Sequence, residues 1–245
     1  MTPIDRSCRR AIGVGGVAVL AASWAAGAYP SLSLASWLVV SGTLWRARRL
    51  GDPAAARLGA ATHLTLLRGL LISLTVGFAP VAPTGVVRWI PALLYGTAAI
   101  CDRFDGILAR RLGQTTALGA RLDEAMDALG LLAAPVVAVA WQRLPPWYLL
   151  LGAAYYVFRA GIWVRGCLGL PVHLDKMIRR PSTRIFAGLQ MTLVSVALAP
   201  ILPLEFTTVA STFLMMPPLV FFVRDWFIVI GRPVAPRPRP AAALR

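Results

Sequence analysis

The sequence predicts an all-α integral membrane protein, a bundle of about eight transmembrane helices. The first observation is composition: of 245 residues, 58% are hydrophobic and 14% are charged, and the mean hydropathy is +0.68. Soluble domains usually carry about 45–50% apolar and about 25% charged residues. The second observation is the length of the apolar segments, and the third is the position of the basic residues between them. Together they exclude an ordinary soluble domain.

Eight apolar segments approach the length needed to cross the hydrocarbon core of a bilayer, which is about 20 helical residues. They cover residues 11–28, 29–45, 62–83, 86–108, 116–141, 146–168, 183–203 and 207–231. Prolines fall at the predicted turns, where helix breakers belong: Pro30, Pro83, Pro145, Pro146 and Pro203. Three arginines before the first segment are also typical of a signal peptide. A second apolar segment follows directly, which favours an uncleaved first span.

The basic residues predict the orientation of this bundle. With a cytoplasmic N-terminus, the loops 46–61, 109–115 and 169–182 and the C-terminal tail lie inside, and they are rich in arginine and lysine. The outward turns contain only Arg88 and Arg143, which is the positive-inside pattern. We therefore expect a multi-pass protein of the cytoplasmic membrane with both termini inside. The net charge of +15 is attributed to contact with anionic lipids, and no nucleic acid is expected.

One window of 26 residues, 102–127, holds five of the ten acidic residues: Asp102, Asp105, Asp123, Glu124 and Asp127. Spacings of three and four place each pair of aspartates on one helical face. Gly113 is a predicted helix terminator, and Thr115 or Thr116 is a predicted cap of the next helix. A short turn would set the two helices antiparallel with the pairs facing each other. Carboxylates near a bilayer are costly, so the window predicts a functional site.

Four carboxylates in one pocket repel each other unless cations bridge them. Two divalent cations would balance their charge, and hard oxygen ligands suit Mg²⁺ or Mn²⁺. Paired metals of this kind serve phosphoryl transfer. Gly106 allows a ligand close to the backbone, and Arg110 can hold a phosphate oxygen. The predicted chemistry is cleavage of a metal-bound diphosphate at the membrane surface, with both the site and the aspartates on the cytoplasmic side.

The window resembles the signature of the CDP-alcohol phosphotransferases, D-x2-D-G-x2-A-R-x8-G-x3-D-x3-D. Every fixed position is present: Asp102, Asp105, Gly106, Ala109, Arg110, Gly119, Asp123 and Asp127. The six-helix core of that family also fits the third to the eighth apolar segments. The resemblance therefore implies an N-terminal two-helix membrane extension at 1–61 and a six-helix catalytic core at 62–231. The tail at 232–245 is proline-rich and basic, a composition that predicts disorder.

The resemblance also implies a role for each matching residue. The four aspartates would bind two divalent metals, and Asp127 would in addition be the general base that accepts the proton of the acceptor hydroxyl. Contacts to the CDP-linked donor would come from Gly106, Ala109, Arg110, Thr116 and Gly119. A further donor-binding stretch of the family, N-x-x-T-x-x-R, matches here at Thr65 and Arg68, whereas Thr62 replaces the asparagine.

The predicted activity is transfer of a phosphatidyl group from CDP-diacylglycerol to a polar alcohol, with release of CMP, in phospholipid biosynthesis. The predicted partners are the lipid donor, the alcohol and membrane lipids, and a homodimer is left open. A basic cluster is interpreted either as positive-inside anchoring or as a pocket for the phosphate of the acceptor: Lys176, Arg179, Arg180 and Arg184.

Two alternatives remain beside this interpretation. The reverse arrangement, CDP-choline or CDP-ethanolamine donated to diacylglycerol, shares the same motif. Glycerophosphate-using members usually carry a Gly-Arg-Glu stretch after the second motif helix, and its absence here disfavours glycerol 3-phosphate as the acceptor. An ion-coupled transporter would use carboxylates as a relay, but it predicts acids near the bilayer midplane in repeated halves.

Overall fold

The computed structural model describes residues 3–49, 59–111, 116–173 and 181–231, with the backbone alone at 3–6, 47–49, 105–110, 117 and 181–184. Within these ranges the chain forms eight α-helices and no strand, so the all-α prediction is confirmed. The helices are α1 (Pro3–Ala25), α2 (Pro30–Arg49), α3 (Ala60–Val76), α4 (Ile90–Arg111), α5 (Ala117–Ala140), α6 (Leu149–Cys167), α7 (Pro181–Leu198) and α8 (Leu204–Val229). The predicted tail at 232–245 lies outside the described residues.

The helix boundaries follow local sequence signals. Pro30 begins α2 and Pro203 precedes the first residue of α8, because a proline at a helix start forfeits no intrahelical hydrogen bond. The sequence predicted that the third segment would extend to residue 83, but α3 ends at Val76. Gly77 follows as the C-cap, and Pro80 and Pro83 lie in the next turns, where they cannot continue a helix.

Helix α3 lies at the centre of the bundle and packs against α1, α2, α4 and α5. Helix α5 continues the core towards α6 and α7, and α8 closes the bundle against α6 and α7. The indole N–H of Trp141, after α5, donates to the carbonyls of Phe78 at 3.1 Å and Val81 at 2.8 Å, after α3. At the other end, the backbone N–H of His173 donates to the carbonyl of Val229 at 3.0 Å. These bonds fix which helix ends lie together.

Helix α2 packs antiparallel along α3 over most of its length. The backbone N–H of Tyr29 donates to the carbonyl of Gly77 at 2.8 Å, and the buried Ser36 and Ser73 hydroxyls are 3.1 Å apart. Farther along, Gly69 lies between Val40 of α2 and Met126 of α5. Helix α2 is thus packed closely against α3 in the bundle.

Substituting Gly69 by valine is expected to destabilise the protein by about 1–3 kcal/mol, because this point has no free volume. A Cβ at Gly69 would lie 2.8 Å from Met126 Sδ and 3.0 Å from Val40 Cγ1. Thermal unfolding of the detergent-solubilised protein measures the loss. The double variant Gly69→Val with Val40→Ala restores space and should recover part of the stability. Equal melting temperatures of Gly69→Val and wild type would contradict this packing.

Among the described helices, one passes a simple test for membrane span by length and composition: α8, Leu204–Val229. Helix α3 and the segment Ile185–Leu198 are apolar but shorter. The sequence predicted eight spans, and for α4 and α5 the difference has a chemical reason. Helices α4 and α5 include the aspartates and arginines of the acidic window, which interrupt their apolar stretches.

Candidate active site

Arg68 and three aspartates form a cluster where α3, α4 and α5 meet. The Arg68 side chain is 1% exposed, and its Nη1 lies 2.7 Å from Asp102 Oδ1 and 2.9 Å from Asp123 Oδ1. Its Nη2 donates to Asp127 Oδ1. Ligand oxygens of the three carboxylates lie within 4.8 Å of one another. One buried guanidinium thus holds three carboxylates from two different helices.

Helix geometry explains why these four residues meet. Asp123 and Asp127 are one turn apart on α5 and therefore share a face. Arg68 lies eight residues after the start of α3, Asp102 nine before the end of α4, and Asp127 ten after the start of α5. At about 1.5 Å per residue, these three residues lie roughly 12–15 Å from the same end of the bundle. The site is therefore recessed by about two turns or more from the helix ends.

The donor atoms fit a divalent cation. All are carboxylate oxygens from three side chains, which is the ligand type that Mg²⁺ and Mn²⁺ prefer. The carboxylates are partly accessible, with Asp102 at 23%, Asp123 at 47% and Asp127 at 46% exposure, so an ion has an approach to them. Three ionised carboxylates and the single positive charge of Arg68 leave a net negative charge, which a bound cation would compensate.

The fourth predicted ligand, Asp105, lies in α4 one turn after Asp102. Gly106, Ala109 and Arg110 follow it in the same helix. Their backbone is helical, and their side chains lie outside the description. Lys176, Arg179 and Arg180 also fall outside the described residues. Arg184 lies in the first turn of α7 with its backbone alone described. The predicted roles of these residues stay predictions.

Thr116 is the N-cap of α5. Its backbone is extended, with φ −121° and ψ 152°, and its Oγ1 accepts a hydrogen bond from the backbone N–H of Gly119 at 3.0 Å. This bond satisfies one of the free N–H groups at the start of the helix. The predicted cap is confirmed at Thr116, whereas Gly113 and Thr115 lie outside the described residues.

Thr65 and Thr62 lie on the buried side of α3, at 5% and 7% exposure. The Thr65 hydroxyl donates to the carbonyl of Ala61 at 3.1 Å. The sequence assigned Arg68, one turn later, to the donor, but it did not anticipate that this arginine would pair with the aspartates. A signal was present: an arginine in an apolar helix needs a counter-ion, and this chain concentrates its acids in one window.

A second polar group beside the cluster links α5 to α6. Tyr155 Oη donates to Glu124 Oε1 at 3.2 Å, and Arg159 Nη1 lies 3.6 Å from the same oxygen. The Arg159 and Glu124 side chains are 57% and 47% exposed, so this ion pair contributes little stability. The sequence did not predict the contact between Arg159 and Glu124.

Comparison with known proteins adds to this geometry. A family model described as CDP-alcohol phosphatidyltransferase matches residues 58–223. A curated relative from Escherichia coli (strain K12), named CDP-diacylglycerol--glycerol-3-phosphate 3-phosphatidyltransferase, is 37% identical over 103 residues. The match covers 40% of this chain and 52% of the relative. A relative of the same name from Sodalis glossinidius (strain morsitans) is 40% identical over 101 residues, with the same coverage. The chain thus spans about half the length of the curated relatives it matches.

Proposed function

The chain belongs to the CDP-alcohol phosphatidyltransferase family, and we propose that it transfers a phosphatidyl group from CDP-diacylglycerol to a polar alcohol and releases CMP. The observation that carries this proposal is the cluster of Asp102, Asp123 and Asp127, which brings three carboxylates within 4.8 Å of one another. The missing Gly-Arg-Glu stretch disfavoured glycerol 3-phosphate, but the relatives' name indicates it as the first acceptor to test. The role of the enzyme would be in phospholipid biosynthesis.

In the proposed reaction, Asp127 accepts the proton of the acceptor hydroxyl. The hydroxyl oxygen forms a bond to the phosphorus that bears the lipid, and the bond from that phosphorus to the CMP oxygen breaks. Asp127 is the motif aspartate farthest from the start of α5 and is partly accessible, at 46% exposure. Arg68 orients its carboxylate by a direct hydrogen bond. Single displacement is favoured because the motif contains no serine, cysteine or histidine as a nucleophile.

Asp102, Asp105, Asp123 and Asp127 are the proposed ligands of two divalent cations. When bound, these cations would neutralise the diphosphate and stabilise its attacking and leaving oxygens. We assign the contacts to the CDP-linked donor to Thr65, Arg68, Gly106, Ala109, Arg110, Thr116 and Gly119. The acceptor phosphate would bind the basic residues that precede or begin α7, Lys176, Arg179, Arg180 and Arg184.

We further propose that all eight helices span the cytoplasmic membrane, with the aspartate end of the bundle on the cytoplasmic side. The outer surface supports this placement, because large apolar side chains face outward on separate helices: Val14 at 70%, Trp24 at 83%, Val157 at 70%, Trp163 at 69% and Phe213 at 75% exposure. Contiguous exposed apolar surface is rare on soluble monomers. The division into an extension at 1–61 and a core at 62–231 is part of the same proposal.

The experiment supplies the purified full-length protein with labelled CDP-diacylglycerol, Mg²⁺ and one alcohol at a time, and it follows CMP and the lipid product. We expect acceptor-dependent CMP release with glycerol 3-phosphate, and inositol phosphate tests whether a different phosphorylated alcohol is used. A parallel reaction contains CDP-choline and diacylglycerol. Product in that reaction alone would establish the reverse arrangement. No acceptor-dependent release with any alcohol would contradict the proposed transfer.

A further inference from the structure

A groove on the outside of the bundle lies between α4 and α7, away from the aspartate cluster. Its α4 side is built by residues three and four apart, including Gly96, Ala99 and Arg103, which form one face of the helix. Its α7 side includes Gly188 and Ser195, and the enclosed volume is about 260 Å³. Asp102 instead turns towards Arg68 of α3. We call this cavity the Arg103 groove.

The Arg103 guanidinium occupies space that Gly188 leaves free because it has no side chain. A Cβ at Gly188 would lie 2.5 Å from Arg103 Nη2 and 3.6 Å from Cζ, so any larger residue at position 188 would displace the guanidinium. Among the described residues, Arg103 has no hydrogen bond and no ion pair. The charge of Arg103 acts on the neighbouring Asp102, but that carboxylate already pairs with Arg68 at 2.7 Å. With respect to the described side chains, the groove therefore contains a cation whose hydrogen-bonding groups are available.

An arginine without a counter-ion is costly in free energy at the position that Arg103 occupies along α4. Arg103 lies eight residues before the end of α4, which is about 12 Å along the helix. In the proposed membrane placement, an arginine at this depth requires an anion or water. The flanking Ile100 is 58% exposed, so the groove opens on the surface that would face lipid.

The order of residues along the groove matches the order of groups in a phospholipid. Arg103 and Gly188 lie at the end nearer the aspartate end of the bundle, and Gly96, Ala99, Ser195 and Val196 lie deeper. A phosphate beside the guanidinium would place an acyl chain along the small and apolar residues below it. Arginine is well suited to such a phosphate because its planar fork can donate two parallel hydrogen bonds.

We propose that the Arg103 groove binds an anionic phospholipid, with the lipid phosphate on Arg103 and one acyl chain between α4 and α7. This inference rests on the membrane placement in the proposed function and not on the transfer reaction. The site is separate from the aspartate cluster, since Arg103 and Asp102 are successive residues that point to different neighbouring helices.

The test is native mass spectrometry of the full-length protein in detergent, without CDP-diacylglycerol, with dioleoyl phosphatidylglycerol or dioleoyl phosphatidylcholine added. Wild type should bind phosphatidylglycerol more tightly. Arg103→Gln should weaken phosphatidylglycerol binding about tenfold, as expected for the loss of one charge-assisted contact. Phosphatidylcholine binding should fall less, because the choline ammonium already offsets the charge of its phosphate. Gly188→Leu should weaken both by filling the groove. Arg88→Gln, an exposed arginine at the other end of the bundle, is the matched control and should bind as wild type does.

Two results would overturn the proposal. One is wild-type affinity for phosphatidylglycerol in both Arg103→Gln and Gly188→Leu. The other is stabilisation of the wild type by inorganic phosphate through Arg103 with no effect of phosphatidylglycerol, which would assign the groove to a free anion. Because no CDP substrate is present, neither result depends on whether the protein catalyses transfer.

Discussion

Replacing Asp127 by asparagine is expected to lower acceptor-dependent CMP release by a factor of about 10²–10⁴, the usual contribution of a general base. The substitution keeps the size of the side chain and removes its ability to accept a proton. The measurement is the initial rate of CMP release from labelled CDP-diacylglycerol at saturating acceptor. Because asparagine can still accept a hydrogen bond from Arg68, the fold should be retained, and thermal unfolding of the variant checks this.

Glu124→Gln is the matched control for Asp127→Asn. Glu124 lies in the same turn of α5 as Asp123, but it contacts Tyr155 and Arg159 on α6 rather than the aspartate cluster. The rate should change by less than about threefold, because the pair that it loses is half exposed. Wild-type CMP release by Asp127→Asn, or an equal loss in both variants, would remove Asp127 from its proposed role.

Replacing Arg68 by methionine should destabilise the metal-free protein by about 3 kcal/mol, because it leaves three carboxylates close together without their buried counter-ion. The destabilisation should be smaller in Mg²⁺, since a bound cation supplies part of the missing positive charge. Melting temperatures in EDTA and in Mg²⁺ measure both effects. The rise caused by Mg²⁺ should be larger in Arg68→Met than in wild type.

Arg68→Lys separates the charge of Arg68 from its geometry. Lysine keeps one positive charge but cannot reach three carboxylates with a planar fork. Its melting temperature in EDTA should lie between those of wild type and Arg68→Met. The buried arginine does not compensate the carboxylates if Arg68→Met has the melting temperature of wild type in EDTA and Mg²⁺ raises both melting temperatures equally.

The helices, the cap of α5 and the grouping of the aspartates could be predicted from the sequence, because their signals are local. Apolar segments separated by proline and glycine gave eight helices, and the threonine before α5 gave the cap at Thr116. The spacing of four on α5 predicted that Asp123 and Asp127 share a face. The short turn between the helices predicted that the α4 pair faces them, and Asp102 of that pair lies beside them in the structure. The end of α3 was placed too late, because apolar residues continue past Gly77 although the helix does not.

Apart from this pairing of α4 with α5, the contacts between helices could not be predicted, because they depend on residues far apart in the chain. Arg68 donates a hydrogen bond to Asp127, which is 59 residues later in the sequence. A sequence pattern does not specify which face of α3 points at α5. The position of Gly69 between Val40 and Met126 likewise requires three helices at a defined depth. Arg103 carried no recognisable signal, since its partner Gly188 is on α7.

The most direct test of the proposed site is the dependence of CMP release on a divalent cation in a single preparation of the wild-type protein. The rate with CDP-diacylglycerol and glycerol 3-phosphate is measured before chelation, after EDTA, and after Mg²⁺ or Mn²⁺ is restored. We predict that release stops on chelation and returns with the metal, and that it does not return in Asp127→Asn. Release that continues unchanged in EDTA would contradict a metal-dependent reaction at Asp102, Asp123 and Asp127.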